Sequence, residues 1–248
     1  MAEKLKYFVN GQFRESKTDK WYNLHNPSTG EITGQAPCCT NDEVLEAIAA
    51  AKAAYPGWSA TPAIKRAQIL YRVRELILER MDELTMSVAK ENGKVWAESE
   101  GDVLKAKEGT ELATQVPSLM MGESIMDASR GYDTVKYREP LGVFAGIVPV
   151  NFPAMIPFGW MAPTCIAAGN TLVLKAASLT PKTAMLFAQL YKDAGVPDGV
   201  INVVTCSRNE INTILEHPDV KGITFVGSTP VGLKIYEKAA ANGKRCQA

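Results

Sequence analysis

The chain has 248 residues, 27 of them Lys or Arg and 27 Asp or Glu, so its formal net charge is zero; 46% of it is hydrophobic and 8% aromatic. These proportions exclude a disordered, collagen-like or disulfide-framework chain, and the balanced charge lacks the electrostatic footprint of a general nucleic-acid or anionic-membrane binder. At roughly 100–200 residues per domain the length fits one large domain, alone or with an appendage, and small neutral or anionic molecules are the ligands to expect.

Tyr7-Phe8-Val9-Asn10-Gly11-Gln12-Phe13 sets Asn-Gly between alternating apolar residues, which predicts a β-hairpin opening the chain as a small β element. Thr40-Asn41-Asp42-Glu43 has capping-box spacing ahead of an alanine-rich stretch, so a helix is expected near 42–54, ended by Pro56-Gly57. Ala67, Leu70, Val73, Leu76, Ile77, Met81, Leu84 and Val88 recur at three and four residues over a charged background. That spacing predicts one long amphipathic helix stopping at Asn92-Gly93. A third helix is expected over about 96–115, weakened by Gly101 and Gly109.

After Gly131 the pattern changes. Short apolar or β-branched runs at 142–148, 171–174, 200–204 and 222–226 alternate with helical stretches at about 153–168, 181–194, 208–216 and 230–241. Strands without polar alternation, each joined to the next by a helix, predict an α/β fold with a parallel sheet covered on both faces. Residues 140–174 carry no Asp, Glu, Lys or Arg, yet Pro140, Pro149, Pro153, Pro157 and Pro163 break the run into pieces too short to span a membrane. The run therefore reads as buried strand, loop, helix and strand. The first residues lack a long apolar core with a small-residue cleavage site, so no secretory signal is expected.

Cys38, Cys39, Cys165, Cys206 and Cys246 form an odd set without C-x-x-C, and His25 and His217 lie far apart beside turns. This argues against a disulfide framework and a zinc site, predicts no metal, and suits reduced thiols in the cytoplasm.

In open parallel sheets ligands bind beyond the carboxyl ends of the strands. Four loops there carry chemistry. Phe225-Val226-Gly227-Ser228-Thr229-Pro230-Val231-Gly232 has the glycines, cap and proline of a phosphate-binding helix start, and equally of an ordinary capped turn. Lys175 either binds a ribose hydroxyl or phosphate or snorkels to solvent; an NAD-preferring enzyme usually sets a carboxylate on the adenosine ribose, whereas this loop offers only Ser178. Asn151, in Val148-Pro149-Val150-Asn151-Phe152-Pro153, either caps a helix or donates to an oxyanion. Cys206 reads as structural, with a nucleophilic role in a different reductase as the alternative.

Together these stretches resemble the aldehyde dehydrogenase superfamily along nearly the whole chain. The resemblance rests on Glu91-Asn92-Gly93-Lys94, Arg138-Glu139-Pro140-Leu141-Gly142-Val143, Pro149-Val150-Asn151-Phe152-Pro153, Ala168-Gly169-Asn170-Thr171 with Leu174-Lys175, Gly195-Val196-Pro197-Asp198-Gly199-Val200 and Phe225-Val226-Gly227-Ser228, in family order and spacing. Pro117-Ser118-Leu119-Met120-Met121-Gly122 and Leu215-Glu216-His217-Pro218 look most like the CoA-acylating methylmalonate-semialdehyde branch. The resemblance implies a Rossmann-like cofactor domain, a catalytic domain and a small β oligomerisation element. It divides this chain into the hairpin and helices of the cofactor domain (1–130), a strand of the oligomerisation element (131–140) and dinucleotide-binding βα units (141–248), with the catalytic domain absent.

The implied reaction oxidises an aldehyde with NAD or NADP through a cysteine thiohemiacetal and releases an acid, or an acyl-CoA where CoA is the acceptor. A carboxylated semialdehyde such as methylmalonate semialdehyde is the expected substrate, with succinate semialdehyde and NADP as the alternative. Carried over by position, Asn151 donates to the oxyanion, Lys175 binds the adenosine ribose, Ser228 with Phe225, Gly227 and Gly232 lies at the pyrophosphate, and Val148, Pro149 and Val150 line the cleft. The intact enzyme is expected to be a cytoplasmic homodimer or homotetramer.

Three departures qualify the resemblance. The family's nucleophilic cysteine falls later than residue 248, so the chain reads as a fragment, inactive alone; a non-catalytic dinucleotide-binding or assembly module is the alternative. Ser178 replaces the Glu of many NAD-preferring members. Lys105 stands where the branch uses Arg for the substrate carboxylate, and Lys is a point charge where Arg is a bidentate fork.

Overall fold

The computed structural model describes residues 3–248. Asn10 and Gly11 take φ of 50° and 70°, the two positive values of a tight hairpin turn, and join β1 (Tyr7–Val9) to β2 (Gln12–Arg14). This hairpin is not a separate element: β1 pairs antiparallel with β9, Phe8 opposite Val203, and closes one edge of the main sheet. A second hairpin, β3 (Trp21–His25) and β4 (Ile32–Pro37), follows.

The helical layer differs from expectation in two places. Helix α1 (Asn41–Ala60) has the predicted Thr40–Glu43 capping box but runs through Pro56 to end before Thr61. Beyond that proline, Trp58 is buried and donates its indole N–H to the Ile166 carbonyl at 3.0 Å, an anchor that offsets the lost helical hydrogen bond. The expected single long helix is two, α2 (Ala63–Glu79) and α3 (Met81–Asn92), separated at Arg80 with φ −109° and ψ 20°. Gly93, at φ 80°, ends α3 as its left-handed cap. Then come α4 (Trp96–Ala113) and the short α5 (Val116–Leu119).

β5 (Glu123–Ser129) and β6 (Tyr132–Lys136) form a third hairpin with every residue exposed. The strand expected at 131–140 is its second arm.

The βα units follow as β7 (Val143–Ile147), β8 (Thr171–Lys175), α7 (Lys182–Asp193), β9 (Ile201–Val204), α8 (Arg208–Glu216), β10 (Val220–Phe225), α9 (Thr229–Ala241) and β11 (Arg245–Gln247). Between β7 and β8 the expected helix is a π-helical turn (Ile156–Met161) continuing into α6 (Ala162–Ala167). The sheet runs β11-β10-β7-β8-β9-β1-β2, and its links among β7 to β11 are parallel. Alternate residues feed two cores: Leu172, Leu174, Ile201 and Val203 pack on the α2–α4, α6 and α7 side, and Val143, Ala145, Ile147, Val173 and Val204 on the α1, α8 and α9 side.

Two glycines of α4 have opposite roles. A Cβ on Gly109 would lie 2.1 Å from the Gly159 carbonyl oxygen, so α4 and the π-helical turn meet backbone to backbone, whereas a Cβ on Gly101 would meet nothing within 4 Å. Gly109→Ala is expected to destabilise the fold by about 1–3 kcal/mol. Gly101→Ala is expected to stabilise it by up to about 1 kcal/mol. Urea unfolding of the two variants checks both signs.

Candidate functional site

The loops leaving β7, β8, β9 and β10 open at one edge of the sheet. A cavity of about 730 Å³ lies there between α8 and α9. Ile211 and Leu215 of α8 and Val231 and Ile235 of α9 give it two apolar walls. Lys175, the last residue of β8, and Cys206, in the loop after β9, also line it, together with Arg208, Lys234 and Lys238. Burial lowers the pKa of Lys175, and the neighbouring Cys206 and Cys38 act against that shift. Burial likewise pushes the Cys206 thiol up to about 12. That thiol is protonated at neutral pH and is not a poised nucleophile. Ser178 is half-buried and lies outside the cavity lining.

A second cavity, of about 570 Å³, is lined by Phe225, Gly227, Ser228, Thr229 and Gly232 at the start of α9. Ser228 is the N-cap residue, yet its hydroxyl makes no capping bond. Its carbonyl accepts from Val231 N at 3.0 Å and Gly232 N at 2.9 Å, and Pro230 has no N–H. The Ser228 hydroxyl and the first amide of the turn thus remain at the positive end of the helix, the arrangement that attracts an anion. The Phe225 ring packs against both glycines: a Cβ on Gly227 would lie 2.4 Å from it, so the ring would have to shift, and one on Gly232 would lie 3.2 Å from it, a tight contact.

Asn151 does not cap a helix: the helical turn starts only at Ile156, and among the described residues its side chain has no hydrogen-bond partner. It is exposed beside the exposed Val150 and half-buried Pro149, while Val148 is buried at the root of the loop. This loop is braced by residues the sequence left without a role. Asn92 Nδ2 donates to the Val150 carbonyl at 2.7 Å, and Lys94 sits 3.7 Å from the Phe152 ring centroid. Lys94 also pairs at 3.2 Å with buried Asp102, which accepts from Met155 N at 2.7 Å. Glu91 anchors α3 to the start of α7, accepting from Lys182 N at 2.8 Å and Thr183 N at 3.0 Å.

Lys105 lies apart from both cavities, exposed on α4 and paired with Glu108 at 2.6 Å. Reading only the loops after strands missed Arg208, Lys234 and the slot walls, because the walls are two helix faces. Their signal is present in the i, i+4 pairs Ile211/Leu215 and Val231/Ile235.

A model of the aldehyde dehydrogenase family matches residues 13–248. The chain belongs to that family. It is 44% identical over 244 residues to the rat mitochondrial methylmalonate-semialdehyde/malonate-semialdehyde dehydrogenase [acylating], a match that covers 98% of this chain and 45% of the rat protein. A Sinorhizobium meliloti protein assigned as a methylmalonate-semialdehyde dehydrogenase and solved with NAD superposes with a TM-score of 0.96 at 36% identity, over 99% of this chain and 50% of that one. An Escherichia coli NADP-dependent enzyme superposes with a TM-score of 0.94 at 34% identity, over 98% of this chain and 51% of that one. The chain therefore spans about half the length of the aldehyde dehydrogenases it matches. Its parallel-dominated sheet with helices on both faces is the fold expected of the family. Among the described residues no helix is long and apolar enough to cross a membrane.

Burial raises Glu91 from 4.5 to about 7, so the folded protein holds this proton more tightly than the unfolded chain. The resulting stabilisation is complete below pH 4.5 and is lost as pH rises through 7. The wild-type unfolding free energy is expected to fall across this window by up to roughly 3 kcal/mol more than that of Glu91→Gln. Urea titrations of both proteins at half-unit pH intervals check the difference.

Proposed function

We propose that this aldehyde dehydrogenase chain binds NAD(P)+ across its two cavities, with the adenosine between α8 and α9 and the pyrophosphate at the start of α9. The observation that carries the reading is the uncapped Ser228 hydroxyl at a helix N-terminus, beside an apolar slot rimmed by cations. Lys175 then meets the adenosine ribose, and Ser228 with its neighbours Phe225, Gly227 and Gly232 holds the pyrophosphate. Val148, Pro149 and Val150 form the wall leading toward the nicotinamide, and Asn151 offers its free amide to a developing oxyanion. NAD(P)+ supplies the hydride acceptor when bound.

The proposed reaction of the intact enzyme is oxidation of a carboxylated semialdehyde, such as methylmalonate semialdehyde, to an acid or an acyl-CoA. The rat relative's name supports that substrate class and, through the word acylating, CoA as acceptor. Lys105, paired with Glu108, is the proposed contact for the substrate carboxylate. Assembly as a homodimer or homotetramer is part of the same proposal, supported by the fully exposed β5–β6 hairpin. So is a cytoplasmic location, which rests on five free thiols, although the rat relative is mitochondrial.

The reaction needs a thiolate, and burial works against one at four of the five cysteines: it pushes Cys39, Cys165 and Cys206 up to about 12 and raises Cys246 as well. This favours cofactor binding without turnover for residues 1–248, the behaviour of a non-catalytic dinucleotide-binding module. Titration calorimetry is expected to find NAD(P)+ binding, and Val231→Trp, which fills the slot from an exposed position, is expected to weaken it at least about tenfold. Incubation with any aldehyde is expected to yield no NAD(P)H; measurable production would remove the inactivity, and unchanged binding by the Trp variant would remove the adenosine assignment.

A further inference from the structure

The adenosine cavity is one-sided in charge. Among the described residues that line it there is no carboxylate, whereas Lys175, Arg208, Lys234 and Lys238 all do. Lys238 is already engaged, pairing with Glu216 at 2.5 Å and donating to Asn212 Oδ1 at 3.0 Å. The other three make no ion pair among the described residues.

The sequence explains the imbalance. Residues 140–192 contain no Asp or Glu, so neither the loop after β7 nor the loop after β8 can bring a carboxylate to a ribose. Glu210, the acid closest in sequence on α8, is folded into the capping box, where it accepts from Ser207 N at 3.0 Å and Ser207 Oγ at 2.6 Å. A ribose with two free hydroxyls is ordinarily gripped by a carboxylate, and a 2′-phosphate by a cation. Lys175 holds a half-buried ammonium without a counter-ion, and burial lowers its pKa. A bound dianion would supply that counter-charge.

Arg208 is the best placed of the three. It is the first residue of α8, its backbone is fixed by the Ser207–Glu210 capping box, and it is exposed while lining the cavity. Its fork of donors matches phosphate oxygens, and the positive end of α8 adds to its field. The geometry points to a cavity that receives an adenosine carrying a 2′-phosphate, with Arg208 selecting NADP+ over NAD+; this rests on the adenosine placement proposed above.

Calorimetric titration of the 248-residue chain with NADP+ and NAD+, alone and as Arg208→Gln, tests the inference. NADP+ is expected to bind at least about tenfold more tightly than NAD+, and Arg208→Gln is expected to weaken NADP+ by about that factor without moving NAD+ or the melting temperature. NAD+ binding as tightly as NADP+ would overturn the 2′-phosphate inference and leave the adenosine placement standing. Absence of binding by both would overturn the placement, and the inference with it. An NADP+ preference that survives Arg208→Gln would overturn the selecting role of Arg208.

Discussion

Leu172 and Leu174 point into one core and Val173 into the other, so a strand of five residues has no face left for water. The same holds along β7 and β9. A sheet buried on both sides must be covered on both, which explains why α1, α8 and α9 lie on one face and α2 to α4, α6 and α7 on the other. Parallel strands then release their chain at the same edge each time. Chemistry gathers at that edge because it is where backbone and polar side chains escape the core.

The edge is held from behind. Asp102 is buried on α4, yet its two oxygens reach both Lys94 and the Met155 amide, tying α4 and the connection before it to the loop that carries Asn151. Glu91 performs a similar task for α7. Removing either acid would orphan buried donors, a larger penalty than the net value of the bonds themselves. Among the described residues Asn151 is left without a side-chain partner, exposed on a loop whose neighbours are fixed.

The parts of the fold written in local periodicity were legible in the sequence. The four central strands, α7 to α9 and the Asn10-Gly11 turn follow from runs of apolar residues and from residues suited to positive φ. Features decided by distant contacts were not. The passage of α1 through Pro56 depends on Trp58 reaching Ile166, and the π-helical turn is packed directly against Gly109 of α4. None of the strands β3, β4, β5 and β11 is a continuous buried run of the kind that revealed the others. At the site, Lys175, Ser228 and Asn151 were readable as loop residues after strands. Arg208 and the slot walls required knowing that α8 and α9 lie side by side.

The first strand of the chain is completed by one of the last. Phe8 faces Val203, and the Asn10 amide donates to Asn202 Oδ1 at 2.9 Å, across 192 residues of sequence. The sheet edge that residues 7–14 pair with does not exist until β9 has been made, so this hairpin must wait, with Tyr7, Phe8 and Val9 uncovered, while the residues between it and β9 are translated.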